Sequence, residues 1–466
     1  MNINFTTIAS VFLLNSTAVS AQITTVPELV AAVRKAPEKT TIEIGSGTFK
    51  LPEPLELKTG ITLRGAGMDL TILTHADSWR PSTATLPDPE MKTKGMDTHA
   101  YLIRLNDKAS DVSISNLTLR GPGVHGAIYG WRNENLHLHH LRIQDVLWSG
   151  IRTFSMKSAK IHDCEFIDAG GRWQRGGIPG TKGGITGGGI FAIWMKDSEI
   201  AHNRFTRTQM QKQDEFYGIK VRQGKRSRIH HNTIEVNFSM EFPFENDEDV
   251  EIDHNICHGT VSIPKHAGGP VPESGRTFHI HHNYFRNSYS IEFVRNGVEI
   301  DHNLFDFDVQ KDHGNLISGF GKAAAKGPTV FHNNLVNNPG RGVIWINEPY
   351  SHLTVRNNHI ITRTTSTPRK EGLFGFNRDC DFSTIHIENN VVECIGQSRP
   401  LLRNDKSYSA MIQNNQLKNV SDTNAYVNPQ TDVRAGLDEP LTFACGVHGE
   451  LTVNGWETRS TSPKKD

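Results

Sequence analysis

Hydrophobic residues in this chain come in short alternating runs. GIFAIWM (from residue 189), YGIKVRQ (217), FSMEFPFEN (238) and YSIEFVRN (289) each place an apolar side chain at every second position. That period predicts strands with one buried face. After each run a phrase returns: IHDCEF at 161, IAHNRF at 200, IHHNTI at 229, IDHNIC at 252, IHHNYF at 280 and IDHNLF at 300. It continues as FHNNLV (331), VRNNHI (355), IENNVV (387) and IQNNQL (412), and the apolar frame without the Asn is already present at ISNLTL (114) and LHHLRI (138). Strand-type repeats at this spacing predict a solenoid, because one short coil cannot bury its apolar side until others stack on it.

The repeated Asn has a structural role in such a stack. Coils about 4.8 Å apart bring like residues over one another. Asn203, Asn232, Asn255, Asn283, Asn303, Asn334, Asn358, Asn390 and Asn415 are then expected to form a ladder at one corner, each amide bonding the next. His202, His231, His254, His282 and His302 precede ladder residues and are expected to stack as a second column. A position that recurs in every coil belongs first to the fold.

Both ends depart from the repeat. PELVAAVRKA (27–36) has helical periodicity and suits a cap on the open end of the core. Residues 1–21 have an apolar run followed by Val19-Ser20-Ala21 and read as a secretory signal, which implies a secreted or periplasmic protein. The expected organisation is a cap and first coil over 22–55, the solenoid over 56–420, and a C-terminal cap with a loose tail over 421–466. No later stretch has the length of a membrane span.

Composition adds exclusions. Lys plus Arg and Asp plus Glu are 50 each, so no overall field draws the chain to nucleic acid or an anionic membrane. The five cysteines include no CxxC, which argues against a zinc or thiol-redox motif, and Cys380 and Cys394 are a pair an oxidising compartment could join, which spacing alone does not show. A monomer with a polysaccharide partner is the expectation.

Chemistry is sought on the outer face of the strands that precede each phrase. Ile219, Val221, Met240, Phe242, Phe244, Val261, Ile263, Ile291 and Phe293 are placed inward, leaving Lys220, Arg222, Glu241, Glu245, Ser262, Lys265, His266, Glu292 and Arg295 facing solvent. Trp345, Asn347 and Glu348 lie two coils beyond Glu292. Two insertions, 74–100 and the glycine-rich 169–189 carrying Arg172, Trp173 and Arg175, are candidate walls, with Trp for sugar stacking and Arg for anions. Lys220, Arg222, Lys265, His266 and Arg295 suit a β-elimination, in which cations neutralise a uronate and a base removes the adjacent proton; Glu241 and Glu245 are the candidate ligands for a calcium ion. Glu241 and Glu292, two coils and about 9.6 Å apart, equally suit an inverting hydrolase. A uronate C5-epimerase needs much the same cations, and a non-catalytic carbohydrate-binding solenoid is the alternative from outside enzymology.

The helical cap, the strand-turn-strand opening TTIEIGSGTFKLPEPLELKTGITLRGAGMDLTIL and the Asn-bearing coils together resemble the pectin-lyase-like superfamily over roughly residues 25–420. The resemblance implies an all-β, right-handed parallel β-helix acting on an acidic polysaccharide. Glu241 and Glu245, followed one coil later by Lys265-His266-Ala267-Gly268, are distantly similar to the chondroitinase-B and alginate lyases of that fold. Asn246-Asp247-Glu248 stands where those enzymes carry Lys-Ser, and Lys265 replaces their Arg.

Overall fold

The computed structural model describes residues 22–79, 100–170, 187–208, 216–243, 247–263, 275–286, 291–292, 297–307, 315–319, 325–346, 349–363, 372–377, 379–402, 411–421, 441–444, 450–454 and 457–460. Val26–Lys35 is a helix, opened by a capping box in which Thr25 and Glu28 exchange side-chain and backbone hydrogen bonds. Its Leu29 and Val33 are buried against the first coil.

From there the chain winds as a right-handed parallel β-helix, as the repeat predicts. Each coil contributes strands to three faces, and every pairing between coils is parallel. Face 1 includes Tyr101–Leu105, Gly188–Ala192, Tyr217–Val221, Phe238–Glu241 and Gly342–Ile346. Face 2 includes Gly224–His230, Glu248–Asp253, Phe278–His281 and Val298–Asp301. Face 3 carries the short strands that follow the ladder Asn, such as Ile256–Cys257 and Tyr284–Arg286. Among the described residues no helix is long and apolar enough to cross a membrane.

The Asn ladder forms without a break. From Asn203 to Asn415, each backbone N–H and each Nδ2 donates to Oδ1 of the Asn one coil on, at 2.9–3.0 Å. Nδ2 also bonds carbonyls of the turn; in Asn283 these are Ile252 and His281. The amides therefore satisfy backbone groups that a tight buried corner would otherwise orphan. Phenylalanines stack inside at the same spacing, Phe166 on Phe205 and Phe285 on Phe305.

The residue before each ladder Asn explains the histidines. His202, His231, His254, His282 and His302 all have φ between 51° and 56°, and Asn333, Asn357, Asn389 and Asn414 hold the same corner at 52–54°. Left-handed backbone favours Asn, Asp and His several-fold among non-glycine residues. The column does stack, with His231, His254, His282 and His302 rings 4.9–5.2 Å apart.

Cys164, Cys257, Cys380 and Cys394 are all buried free thiols, and all four pack into the core as small apolar groups. At the C-terminal end, Glu457–Ser460 is the last strand of a separate antiparallel sheet with Leu441–Ala444 and Glu450–Asn454.

Candidate functional site

Of the residues assigned inward on face 1, Ile219, Val221, Met240, Phe242, Val261 and Ile263 are fully buried and Ile291 nearly so, while Phe244 and Phe293, also expected inward, lie outside the described residues. Strand alternation then turns their neighbours outward. Register aligns those neighbours into one column: Arg104, Tyr129, Arg152, Phe191, Lys220, Glu241, Ser262, Glu292, Ser318 and Trp345.

The middle of this column is a charged pair set among aromatic rings. Lys220 Nζ lies 2.6 Å from Glu241 Oε2, with Lys220 only 5% exposed and Glu241 19%. The contact is electrostatic rather than a well-angled hydrogen bond. Lys220 Nζ is also 4.8 Å from the Tyr217 ring centre and 5.4 Å from that of Phe191. Arg222, 6% exposed, brings its guanidinium within 5.4 Å of the same Phe191 ring. Lys220 and Arg222 thus point away from the core as expected, but not into open solvent, because neighbouring aromatics cover them.

The structure adds a feature upstream. Arg152 is fully buried, its guanidinium 4.1 Å from the Trp148 ring centre, 4.5 Å from Phe191 and 5.0 Å from Phe154. Such cation–ring contacts, when desolvated, are each worth about 2 kcal/mol. Tyr101, Tyr129, Trp148, Phe154, Phe191 and Ile193 form a second apolar cluster outside the helix core, with Trp131 stacked on Phe154 at 4.6 Å. Burial pushes the Tyr101 and Tyr129 hydroxyls up, with Arg152 opposing the rise, so both stay protonated at neutral pH. Trp194, half exposed, stands at the edge of this cluster's strand.

Sequence reading missed Arg152 and its aromatic shell. The signal was available in GAIYGWRNE (126) and SGIRTFSMK (149), where outward positions carry Tyr, Trp, Arg and Phe. A strand apolar on both faces must be covered on both.

Of the other candidates, Glu292 takes its expected place two coils from Glu241, through Ser262. Trp345 lies in the same column, three coils beyond Glu292's neighbour Ser262 and about 24 Å from Lys220 along the axis. Arg172, Trp173, Arg175, Glu245, Lys265, His266, Arg295 and Asn347 lie outside the described residues. Calcium takes six to eight oxygens. The described side chains around Glu241 supply one carboxylate, already engaged by Lys220, and do not by themselves make such a site.

Face 2 is charged too, but self-paired. A groove there of about 620 Å³ is lined by Lys160, Glu199, Arg226, Arg228, Glu251 and Arg276, among others. Arg226 bonds Asp197 and Arg228 grips Asp253 through Nε at 2.8 Å and Nη2 at 2.6 Å.

Comparison with known proteins agrees with the fold. A family described as "Right handed beta helix region" matches residues 126–305. No curated protein matches the chain. Among solved structures, a tailspike protein mutant of E. coli bacteriophage HK620 in complex with pentasaccharide is similar at 10% identity, with 84% of this chain and 73% of that chain covered and a TM-score of 0.54. A second tailspike mutant of the same phage, in complex with hexasaccharide, gives 11% identity, 86% and 75% coverage and a TM-score of 0.54. A PL6 family alginate lyase, AlyGC, gives 12% identity over 90% of this chain and 57% of that chain, with a TM-score of 0.51. At these identities the likeness is one of fold, and it bears out the resemblance to the pectin-lyase-like β-helices at that level.

Proposed function

We propose that this right-handed β-helix is a polysaccharide lyase, cleaving a uronate-containing chain by β-elimination along face 1. The observation that carries the reading is the single column in which Arg152, Phe191, Lys220 and Glu241 follow one another coil by coil. Solved relatives of the fold include a protein whose name is alginate lyase and tailspikes holding oligosaccharides, which fits a glycan laid along the coils.

The chemistry assigns each group a task. Arg222, with Arg152 beneath the aromatic rings, supplies positive potential for the uronate carboxylate, which makes the neighbouring C–H more acidic. Lys220 as the amine removes that proton. The amine form arises when the ammonium passes its own proton to Glu241, 2.6 Å away. Covering the pair with substrate excludes water and favours this neutral form over the ion pair. Tyr217, whose ring lies beside Lys220, offers a hydroxyl to serve the leaving oxygen. Trp194, half exposed, offers a face for a sugar ring.

One observation favours a second reading. Glu241 and Glu292 stand in the same column two coils apart, about 9.6 Å at the backbone, which suits an inverting hydrolase. A single assay separates the two. Purified protein is incubated with a panel of uronate polysaccharides while ultraviolet absorbance of the unsaturated product and new reducing ends are followed together. Absorbance rising with reducing ends supports elimination; reducing ends without absorbance refute it and leave the hydrolase.

A further inference from the structure

Among the described residues, face 2 holds four groups of side chains whose nitrogen and oxygen atoms converge to within 4.8 Å: His202 with His230 and His231; His231 with Asp253 and His254; Glu251 with Asp253 and His281; and His279 with Glu299 and Asp301. Three of the four are compromised by cations. Asp253, shared by two, is held by Arg228 through two nitrogens. In the last, Arg276 Nη1 sits 3.3 Å from His279 Nδ1 and 4.0 Å from Glu299 Oε2. The first differs, since its three donors are all imidazoles and no arginine hydrogen bond to them is seen among the described residues, Arg228 acting on His230 by charge alone.

From this arrangement the geometry points to a binding site for a borderline divalent transition-metal ion, of the zinc class, at His202, His230 and His231. His230 Nδ1 and His231 Nδ1 face each other at 2.8 Å, a separation in which at most one can carry a proton and both can turn toward a shared ion. The third imidazole, His202, stacks on His231 at 4.9 Å and lies edge-on to His230 at 5.8 Å. His202 is exposed, so its ring is free to rotate and close the nitrogen separations to the roughly 3.4 Å set by tetrahedral Zn–N bonds of about 2.1 Å. The opposite nitrogen of His230, Nε2, is 2.8 Å from Glu199 Oε1. A carboxylate on the far side of an imidazole is the usual device that fixes the orientation of a metal-binding histidine.

Local sequence leaves room for the ion. Along this column His162 is followed by Ala201 and then by His230, Asp253, His281 and Asp301. Ala201 stands where later coils put a histidine or carboxylate, so the side chains of the coil before that meet His230 are Glu199 and His202. The nearest charges are Glu199, Asp253 and Arg228, with His254 stacked on His231. Three neutral imidazoles select borderline metals over calcium or magnesium.

Full-length protein without a histidine tag is titrated with Zn²⁺ in a calorimeter, and with Co²⁺ while its visible d–d bands are recorded. One tight equivalent is expected, with the intense Co²⁺ bands of tetrahedral coordination. The double variant H202N/H231N keeps the corner, since Asn occupies it in later coils with the same φ. It is expected to lose the tight equivalent with its circular dichroism unchanged. Glu199→Gln should weaken binding by about tenfold to a hundredfold, the usual effect of removing such a partner. His282→Asn, two coils away, should leave the titration as it is. Absence of a tight equivalent in the natural protein, its survival in the double variant, or equal loss in His282→Asn would each overturn the site.

Discussion

Faces 1 and 2 are built on the same coils, yet their outer surfaces follow opposite rules. On face 2 the outward residues repeat: His230, Asp253, His281, Asp301 and His332 alternate along one column, and each is tied to a neighbour, His279 to Asp301 at 2.7 Å, His281 to Glu251 at 3.0 Å, His302 to Asp301 at 2.6 Å. The face 1 column is mixed: among the described residues, Arg152 with its three rings, and Lys220 with Glu241, occur once each. A residue type that returns every coil serves the stack, whereas a set assembled on adjacent coils and nowhere else has to be explained by what it meets. The comparison also exposes the exception on face 2, where Ala201 interrupts the column beside His230.

The largest test of this contrast is removal of Lys220. Lys220→Ala is expected to lower kcat/KM by roughly a thousandfold, the ordinary worth of a positioned proton-transfer group, and to lower the melting temperature as well, because Glu241 loses its buried partner. A loss below tenfold would strip the column of its catalytic role. Glu292→Gln sharpens the same point: under elimination it costs less than about tenfold, while a carboxylate pair would make it as damaging as Glu241→Gln.

Next in size is the corner that both faces share. Asn283→Ala removes the side-chain acceptor of the Asn255 backbone N–H and Nδ2, and the Nδ2 donor to the Ile252 and His281 carbonyls. An expected cost of about 2–4 kcal/mol, read by denaturant unfolding, follows from the loss of those buried bonds. His282→Asn, one residue earlier, should cost under about 0.5 kcal/mol, because Asn holds the same backbone.

The smallest effect is one of pH. His139 on face 2 and His359 on face 3 are held at about 4, His139 by burial and then by His137, His162 and His140, His359 by burial alone. Their ordinary value is near 6.5, so the unfolded chain binds more protons between the two values. The stability they contribute is complete above about pH 6.5 and is lost as pH falls toward 4. Solvent screens the half-exposed His139, which keeps its share well below the full slope of about 1.4 kcal/mol per pH unit. His139→Gln is expected to flatten the fall in melting temperature between neutral pH and pH 4.5 by about a degree.

The fold was legible in the sequence because its signals are periodic. Ladder asparagines and core isoleucines declare themselves by recurrence, and the nine-member ladder runs from Asn203 to Asn415 as read. The pairing of Lys220 with Glu241 followed from alternation plus one coil of register. Arg152 was not legible, because its role depends on Trp148, which precedes its strand, and on Phe191, a full coil away. No periodicity links those three. The environment of Lys220 was misjudged for a related reason: alternation tells which way a side chain leaves the sheet, and only packing tells what lies over it.

The left-handed corner carries one more consequence. What the backbone demands there is a dihedral angle, and histidine, asparagine and aspartate all meet it, as His202, Asn333 and Asp163 do. Identity at that position is therefore decoupled from foldability, so a lineage can trade imidazole for amide or carboxylate one coil at a time and never cross a misfolded intermediate. The outside edge of the spool is a row of interchangeable sockets, on which new ligand chemistry can be tried at little risk to the structure that holds it.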